Sequence, residues 1–101
     1  MIILERLIQK VRPGKWVELE ELDKKYNALE KDFGFPSKKR YQCMSGGQDF
    51  NTLIIERQWG SLAEMEATYG KALANEAYQK LNQESFSVIK SSQMELYSPL
   101  P

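Results

Sequence analysis

The chain has no histidine among its 101 residues, and this absence removes more chemistry than any other feature of the sequence. Histidine is the usual general base near neutral pH and the usual imidazole ligand of metals and haem. The sequence also has no metal-ligand spacing and no phosphate-binding glycine loop, since Gly46-Gly47 alone indicates only a turn. We therefore expect no metal and no cofactor.

Cysteine is almost as scarce, because Cys43 is the only one and cannot form a disulfide within the chain. We predict that it is a structural, partly buried thiol and not a nucleophile. A helix that spans a membrane needs about 20 consecutive apolar residues, and no apolar run in the sequence is that long. The run at residues 1–4 is also too short for a signal-peptide core. These features predict a cytoplasmic protein without a membrane partner.

A surplus of charge of either sign is also missing, since 14 basic residues balance 14 acidic ones. Nucleic-acid binding needs clustered positive charge. The one basic cluster, Lys38-Lys39-Arg40, is short and falls at the start of a predicted strand. We interpret it as a solvated strand edge and expect no nucleic-acid partner.

What the chain does contain is an approximate internal repeat. Residues 3–7 read Ile-Leu-Glu-Arg-Leu and residues 54–58 read Ile-Ile-Glu-Arg-Gln. Each run is strand-like, and each is followed by a glycine-containing bend and a helical pattern. The repeat predicts two similar strand-turn-helix halves within a single domain that spans residues 1–101.

The pattern of apolar residues predicts the order β-α-β-β-α-β. Strands are predicted at residues 2–11, 38–45, 50–59 and 92–98. The first helix begins near Trp16 and stops at Gly34. The second begins at the capping box Ser61-Leu62-Ala63-Glu64, breaks or kinks at Gly70 and resumes over residues 73–89. This order predicts an α+β fold, a four-stranded antiparallel sheet with both helices on one face.

The other face of such a sheet needs a cover. We expect that face to carry Leu53, Ile55 and Trp59, which are too apolar to leave in water. Packing it against a second sheet predicts a homodimer.

Several segments carry a family resemblance. They are Glu5 to Leu7, Pro13-Gly14-Lys15, Ile55 to Met65 and Glu76 to Leu81. With them the chain resembles the dimeric α/β-barrel superfamily of ferredoxin-like domains, and most closely its NIPSNAP-like branch. The resemblance implies a homodimer whose two sheets face each other around a cavity.

Members of that superfamily include cofactor-free monooxygenases and haem-degrading enzymes, so the fold does not select a function. The haem-degrading type supplies a histidine ligand, which this chain lacks. Antibiotic-type monooxygenases commonly use Asn, Trp and His. Here Asn51 and Trp59 match by residue type only.

The candidate ligand-binding residues are Arg6, Arg57 and Trp59. In each Glu-Arg pair the two side chains point to opposite faces of the strand. Either the charges pair across neighbouring strands or across the dimer, or the two arginines project into a cavity. From the repeat we predict that all three residues share the helix-free face, with Glu5 and Glu56 on the other. The alternative is that the helices cover the arginine side, in which case Glu5 and Glu56 line the cavity. Trp59 either walls a cavity or anchors the strand-helix junction or the dimer interface.

Two functional hypotheses follow. The first is a binding or interaction domain that holds a small apolar or anionic ligand between the facing sheets. The second is a cofactor-independent monooxygenase or isomerase-like enzyme that acts in the same cavity. The absence of histidine, a metal motif and an activated nucleophile favours the first.

Overall fold

Residues 1–101 are all described by the computed structural model, and they form one four-stranded antiparallel sheet covered on one face by three helices. The sheet order is β2-β3-β1-β4, so the first and third strands lie at its centre. This is the predicted ferredoxin-like arrangement. The elements are β1 (Ile3–Val11), α1 (Trp16–Phe33), β2 (Lys38–Gln42), β3 (Thr52–Trp59), α2 (Leu62–Leu73), α3 (Glu76–Ser85) and β4 (Ile89–Tyr97).

Helix α1 begins and ends as its sequence predicts. Its apolar stripe buries Leu19 and Leu22 against the sheet. At its end Gly34 adopts φ 85°, a left-handed conformation that side chains with a Cβ rarely tolerate. The amide of Phe35 then donates to the carbonyl of Glu30, which closes the last turn and sends Phe35 back over the sheet.

The second helical region differs from the prediction in where it breaks. The Ser61 hydroxyl accepts from the amide of Glu64 at 3.1 Å, which confirms the serine half of the capping box. Helix α2 runs through Gly70 without a break. The interruption comes at Ala74, and the Asn75 side chain caps α3 by accepting from the amide of Tyr78. Residue 89 begins β4 and does not end a helix.

The pairing of β1 with β3 decides which side chains the helices cover. Glu5 lies opposite Arg57, and Arg6 lies opposite Glu56. Because side chains alternate along a strand, the odd-numbered residues of both strands face the helices and the even-numbered ones face away. The odd-numbered set includes most of the buried core: Val11, Leu53 and Ile55 pack against Leu19, Leu22, Leu81 and Val88 of the helical layer and its connections.

The helix-free face is therefore not the one that the sequence predicts. Leu53, Ile55 and Trp59 lie under the helices, and the open face presents Leu4, Ile8 and Ile54, each half-buried in the single chain. This face is apolar at its centre, although its residues are not the predicted ones. None of the three helices combines the length and the apolar character that crossing a membrane requires.

Candidate functional site

Two opposite charges, Glu5 and Arg57, lie in the layer between the sheet and the helices. Glu5 is 1% exposed and Arg57 is 3% exposed. They face each other across the β1–β3 pair, with Arg57 Nη1 3.7 Å from Glu5 Oε1. Neither charge would be stable alone in this layer, because an unpaired buried charge costs several kcal/mol. The pair is the beginning of a larger cluster.

Further ion pairs continue from Arg57 towards the edge strand β2. Arg57 Nη2 lies 2.7 Å from Glu30 Oε1, and the same oxygen is 3.1 Å from Lys38 Nζ. Lys38 Nζ also contacts Asp23 at 2.8 Å, and Asp23 is 3.4 Å from Arg40 Nε. We call these six residues the ion-pair chain. It alternates in sign and joins three carboxylates to three cations: Glu5, Arg57, Glu30, Lys38, Asp23 and Arg40.

The other side of Glu5 is closed by aromatic residues. Trp59 Nε1 donates to Glu5 Oε1 at 3.1 Å, and the Tyr69 hydroxyl donates to Glu5 Oε2. Phe35 packs edge-on against both Trp59 and Tyr69, with ring centroids 5.6 Å and 5.0 Å apart. The guanidinium of Arg57 lies over the Phe35 ring, 5.0 Å from its centroid. Burial and the adjacent Glu5 carboxylate raise the pKa of the Tyr69 hydroxyl well above its usual value.

A cavity of about 430 Å³ lies next to this cluster, between the sheet and the helices. All members of the ion-pair chain except Glu5 line it together with Tyr69, and apolar residues make up most of the remaining wall. It extends across the sheet from β2 to β4, where Met94 is 45% exposed and the helices no longer cover the strand. The aliphatic lining comprises Leu7, Leu19, Leu22, Leu53, Ile55, Ile89 and Met94.

Tyrosine hydroxyls add polar groups to the helical wall of the cavity. Tyr26 and Tyr78 both line it and pack edge-on, with centroids 5.8 Å apart. The Tyr26 hydroxyl donates to Asn82 Oδ1 at 2.6 Å. Burial, reinforced by the nearby Glu30 carboxylate, raises the pKa of Tyr78 to about 12. Both groups are neutral near pH 7. The Tyr78 hydroxyl can donate to a molecule in the cavity, whereas the Tyr26 hydroxyl already donates to Asn82 and can only accept.

The geometry can be compared with proteins of known structure. No family model and no curated protein matches the sequence. Solved structures do match, over nearly the whole chain. A NIPSNAP family protein from Agrobacterium tumefaciens has a TM-score of 0.81 at 20% identity, covering 98% of this chain and 86% of its own. A NIPSNAP-like domain protein from Burkholderia xenovorans has a TM-score of 0.83 at 15% identity, covering 98% and 85%.

This chain has the fold of the NIPSNAP structures. A second Agrobacterium tumefaciens protein, described as a NIPSNAP family protein with unknown function, has a TM-score of 0.78 at 10% identity and covers 97% of this chain and 87% of its own. The NIPSNAP-like architecture that the sequence resembles is thereby confirmed as a fold. At these identities the likeness carries no information on ligand or reaction.

The structure separates the three residues that the sequence grouped. Arg57 and Trp59 share a face, as predicted, but that face lies under the helices. Arg6 lies on the open face, where Arg6 Nε donates to Glu56 Oε2 at 2.9 Å and the guanidinium packs over the Tyr97 ring. The predicted common face is therefore wrong. The error comes from the internal repeat. Matching Glu5 with Glu56 offsets the two halves by an odd number of residues, so matched residues such as Arg6 and Arg57 lie on opposite faces of the sheet.

The remaining candidates fall on both sides of the sheet. Trp59 anchors the end of β3 through Glu5 and does not line the cavity. Asn51 lies just before β3, at the end opposite Trp59, and accepts from Trp16 Nε1. Tyr41 and Tyr97 pair with Ile54 and Leu4, so both belong to the open face. Ligand binding by Arg6, Arg57 or Trp59 stays a prediction.

The sequence patterns do not identify the residues that complete the ion-pair chain on α1 and β2. Lys38 and Arg40 are not a solvated strand edge, because their side chains are only 10% and 22% exposed and pair with α1. One signal could have found their partners. Asp23 and Glu30 are seven residues apart, two helical turns, and border the apolar stripe of α1. No comparable signal marks Tyr69 or Phe35.

The raised pKa of Tyr78 gives a testable pH dependence. The pKa rises from 10.0 to about 12 on folding, so the unfolded chain loses this proton first as the pH increases. The contribution of Tyr78 to stability is therefore lost between about pH 10 and pH 12. We expect Tyr78→Phe to lose less stability than the wild type over that interval, measured by urea unfolding at fixed pH values. Superimposable profiles for the two proteins would contradict this assignment.

Proposed function

We propose that this chain is a small-molecule-binding protein whose ligand occupies the cavity between the sheet and the helices. The observation that carries the proposal is the composition of that cavity. It combines an apolar wall with a polar part, in which the mutually paired charges of the ion-pair chain include the buried Arg57. A volume of about 430 Å³ falls within the range of known ligand pockets. Sites of this composition bind ligands by apolar contact and orient them through few hydrogen bonds.

Arg57 is the polar group that we assign to the ligand. Arg57 lines the cavity, while Glu5, Glu30 and Phe35 hold its guanidinium in position. A hydrogen bond from a charged donor contributes about 1.5–3 kcal/mol, so a ligand that accepts from this guanidinium gains binding energy. Glu5, Trp59 and Tyr69 then act as positioning residues for Arg57.

An enzymatic use of the same cavity is the alternative. Arg57 could polarise a carbonyl, and the neutral hydroxyl of Tyr78 could donate a proton or a hydrogen bond. This arrangement suits a cofactor-independent monooxygenase or an isomerase-like enzyme. Every carboxylate of the ion-pair chain is paired with a cation, so none is left free to act as a general base, and this favours binding.

We further propose that the chain is a NIPSNAP-family protein that forms a homodimer through the helix-free face of its sheet. The near-complete coverage of NIPSNAP structures supports the family. The apolar centre of the open face supports the dimer, because Leu4, Ile8 and Ile54 are only half-buried there and no helix of the chain packs over them. A cytoplasmic location belongs to the same proposal, since the single cysteine is a free thiol and suits a reducing compartment.

The cavity is tested by blocking it from its open side. Met94 lines the cavity at β4, whereas Leu96 lies two residues along on the same face, is equally exposed and does not line it. We expect apolar compounds that raise the melting temperature of the wild type to lose that effect in Met94→Trp and to keep it in Leu96→Trp. The measurement is a thermal-shift screen followed by calorimetric titration of the compounds found.

Two results would contradict the proposed site. One is that no compound of a diverse apolar library stabilises the wild type. The other is that compounds bind Met94→Trp and Leu96→Trp equally well.

The dimer is tested by charging the centre of the open face. Ile8 lies opposite Ile54 there, and Val17 is a 72% exposed residue on the outside of α1. We expect Ile8→Glu to sediment as a monomer of 11.7 kDa, because an interfacial charge without a partner is strongly unfavourable. The wild type and Val17→Glu should sediment at twice that mass. A monomeric wild type at micromolar concentration would refute the dimer.

A further inference from the structure

The charges around the cavity also indicate what kind of ligand it accepts. We propose that the ligand is uncharged, with a carbonyl-type oxygen for Arg57 on an apolar body, and that the cavity discriminates against carboxylates of the same shape. This inference rests on the proposed function, because it concerns the same cavity. It narrows the sequence-based expectation, which allowed an apolar or an anionic ligand.

The first step is that no cation of the ion-pair chain has a free charge to offer an anion. Arg57 contacts the carboxylates of Glu5 and Glu30. Lys38 contacts Asp23 and Glu30. Arg40 contacts Asp23 and also Glu20, which is not a member of the ion-pair chain. Each cation is thus shared between two carboxylates, and the six charges of the ion-pair chain sum to zero.

The second step is that an anionic ligand at Arg57 would meet negative charge. A carboxylate within hydrogen-bond distance of the Arg57 guanidinium would also lie close to Glu30, whose Oε1 is 2.7 Å from Arg57 Nη2. Like charges a few ångströms apart in a partly buried site repel, and this repulsion offsets the attraction of Arg57 for the anion. Lys90, the remaining cation that lines the cavity, is solvent-exposed, so its charge is screened by water.

The third step is that hydrogen-bond donors are nevertheless in surplus. A guanidinium carries five N–H donors. Arg57 makes one contact within hydrogen-bond distance, from Nη2 at 2.7 Å, and a longer one from Nη1 at 3.7 Å, so its two Nη groups carry more donors than these carboxylates accept. Tyr78 adds a hydroxyl to the same cavity. A neutral acceptor such as a ketone, amide or ester oxygen satisfies these donors without adding a charge.

The inference is tested with three probes of one shape on the full wild-type chain. They are 2-acetylnaphthalene, 2-naphthoate and 2-isopropenylnaphthalene, which carry a neutral acceptor, an anion and no acceptor on the same ring system. Affinities are measured by calorimetric titration at pH 7.5. We expect the ketone to bind at least about tenfold more tightly than the carboxylate and several-fold more tightly than the alkene, in line with the repulsion and hydrogen-bond terms above.

A charge variant isolates the cause. Glu30→Gln keeps the shape of the side chain but removes the carboxylate that Arg57 and Lys38 share. We expect the ratio of its affinity for 2-naphthoate to its affinity for the ketone to be about tenfold higher than the wild-type ratio. Glu66→Gln, on the exposed surface of α2 and away from the cavity, is the matched control and should keep the wild-type preference. Circular dichroism establishes that each variant is folded. If Glu30→Gln is not folded, the wild-type ratio alone decides.

The outcomes separate this inference from the proposed function. Equal or tighter binding of 2-naphthoate by the wild type would overturn the inference and leave the proposed site intact. So would an alkene that binds as tightly as the ketone, or a folded Glu30→Gln that keeps the wild-type ratio. Failure of all three probes to bind the wild type would count against the proposed function, and the inference would fall with it.

Discussion

The contact between Glu5 and Arg57 is the constraint on which the rest of this structure depends. Each side chain is almost fully buried, and a charge in that layer is stable only with partners of opposite sign. Glu5 and Arg57 meet only if β1 and β3 are neighbours in the observed register. A slip of one strand by one residue would put the two charges on opposite faces and would move the apolar side chains of that strand with its charge. The pair therefore fixes the register at the centre of the sheet, and with it the face that the helices cover.

The same contact explains how an apolar layer holds a polar cluster beside a cavity. Arg57 joins Glu5 on β1 to Glu30 on α1, and Lys38 and Arg40 extend the pairing to β2. The turn at Gly34 brings Phe35 under the guanidinium, while Trp59 and Tyr69 occupy the far side of Glu5. Arg57 is thus held by charge, hydrogen bonds and packing together. A donor held in this way needs little reorganisation when a ligand binds, which reduces the entropic cost of association.

The fold could be predicted from the sequence because local signals agree with one another. The apolar stripe from Leu19 to Phe33, the stop at Gly34 and the cap at Ser61 each act within a few residues, and each agrees with a ferredoxin-like order. The site could not be predicted in the same way. Which face carries Arg57 depends on the register between two strands about 50 residues apart, and the internal repeat predicted the wrong face for it. The pairing of Glu30 with Lys38 becomes visible only when α1 lies over β2, since the position of Glu30 beside the apolar stripe does not show which cation it contacts.

A double-mutant cycle on Glu5 and Arg57 is the most direct test of this account. The variants are Glu5→Leu, Arg57→Met and the double substitution, each assayed by denaturant unfolding at neutral pH. Glu5→Leu leaves Arg57 with Glu30 as its only carboxylate, and Arg57→Met leaves Glu5 with hydrogen-bond donors but no cation. Each single variant should be less stable than the wild type, by up to about 3–5 kcal/mol. The double variant should recover several kcal/mol relative to the sum of the two losses, because it leaves neither charge behind. Additive losses would show that the two residues contribute independently, and would contradict the account.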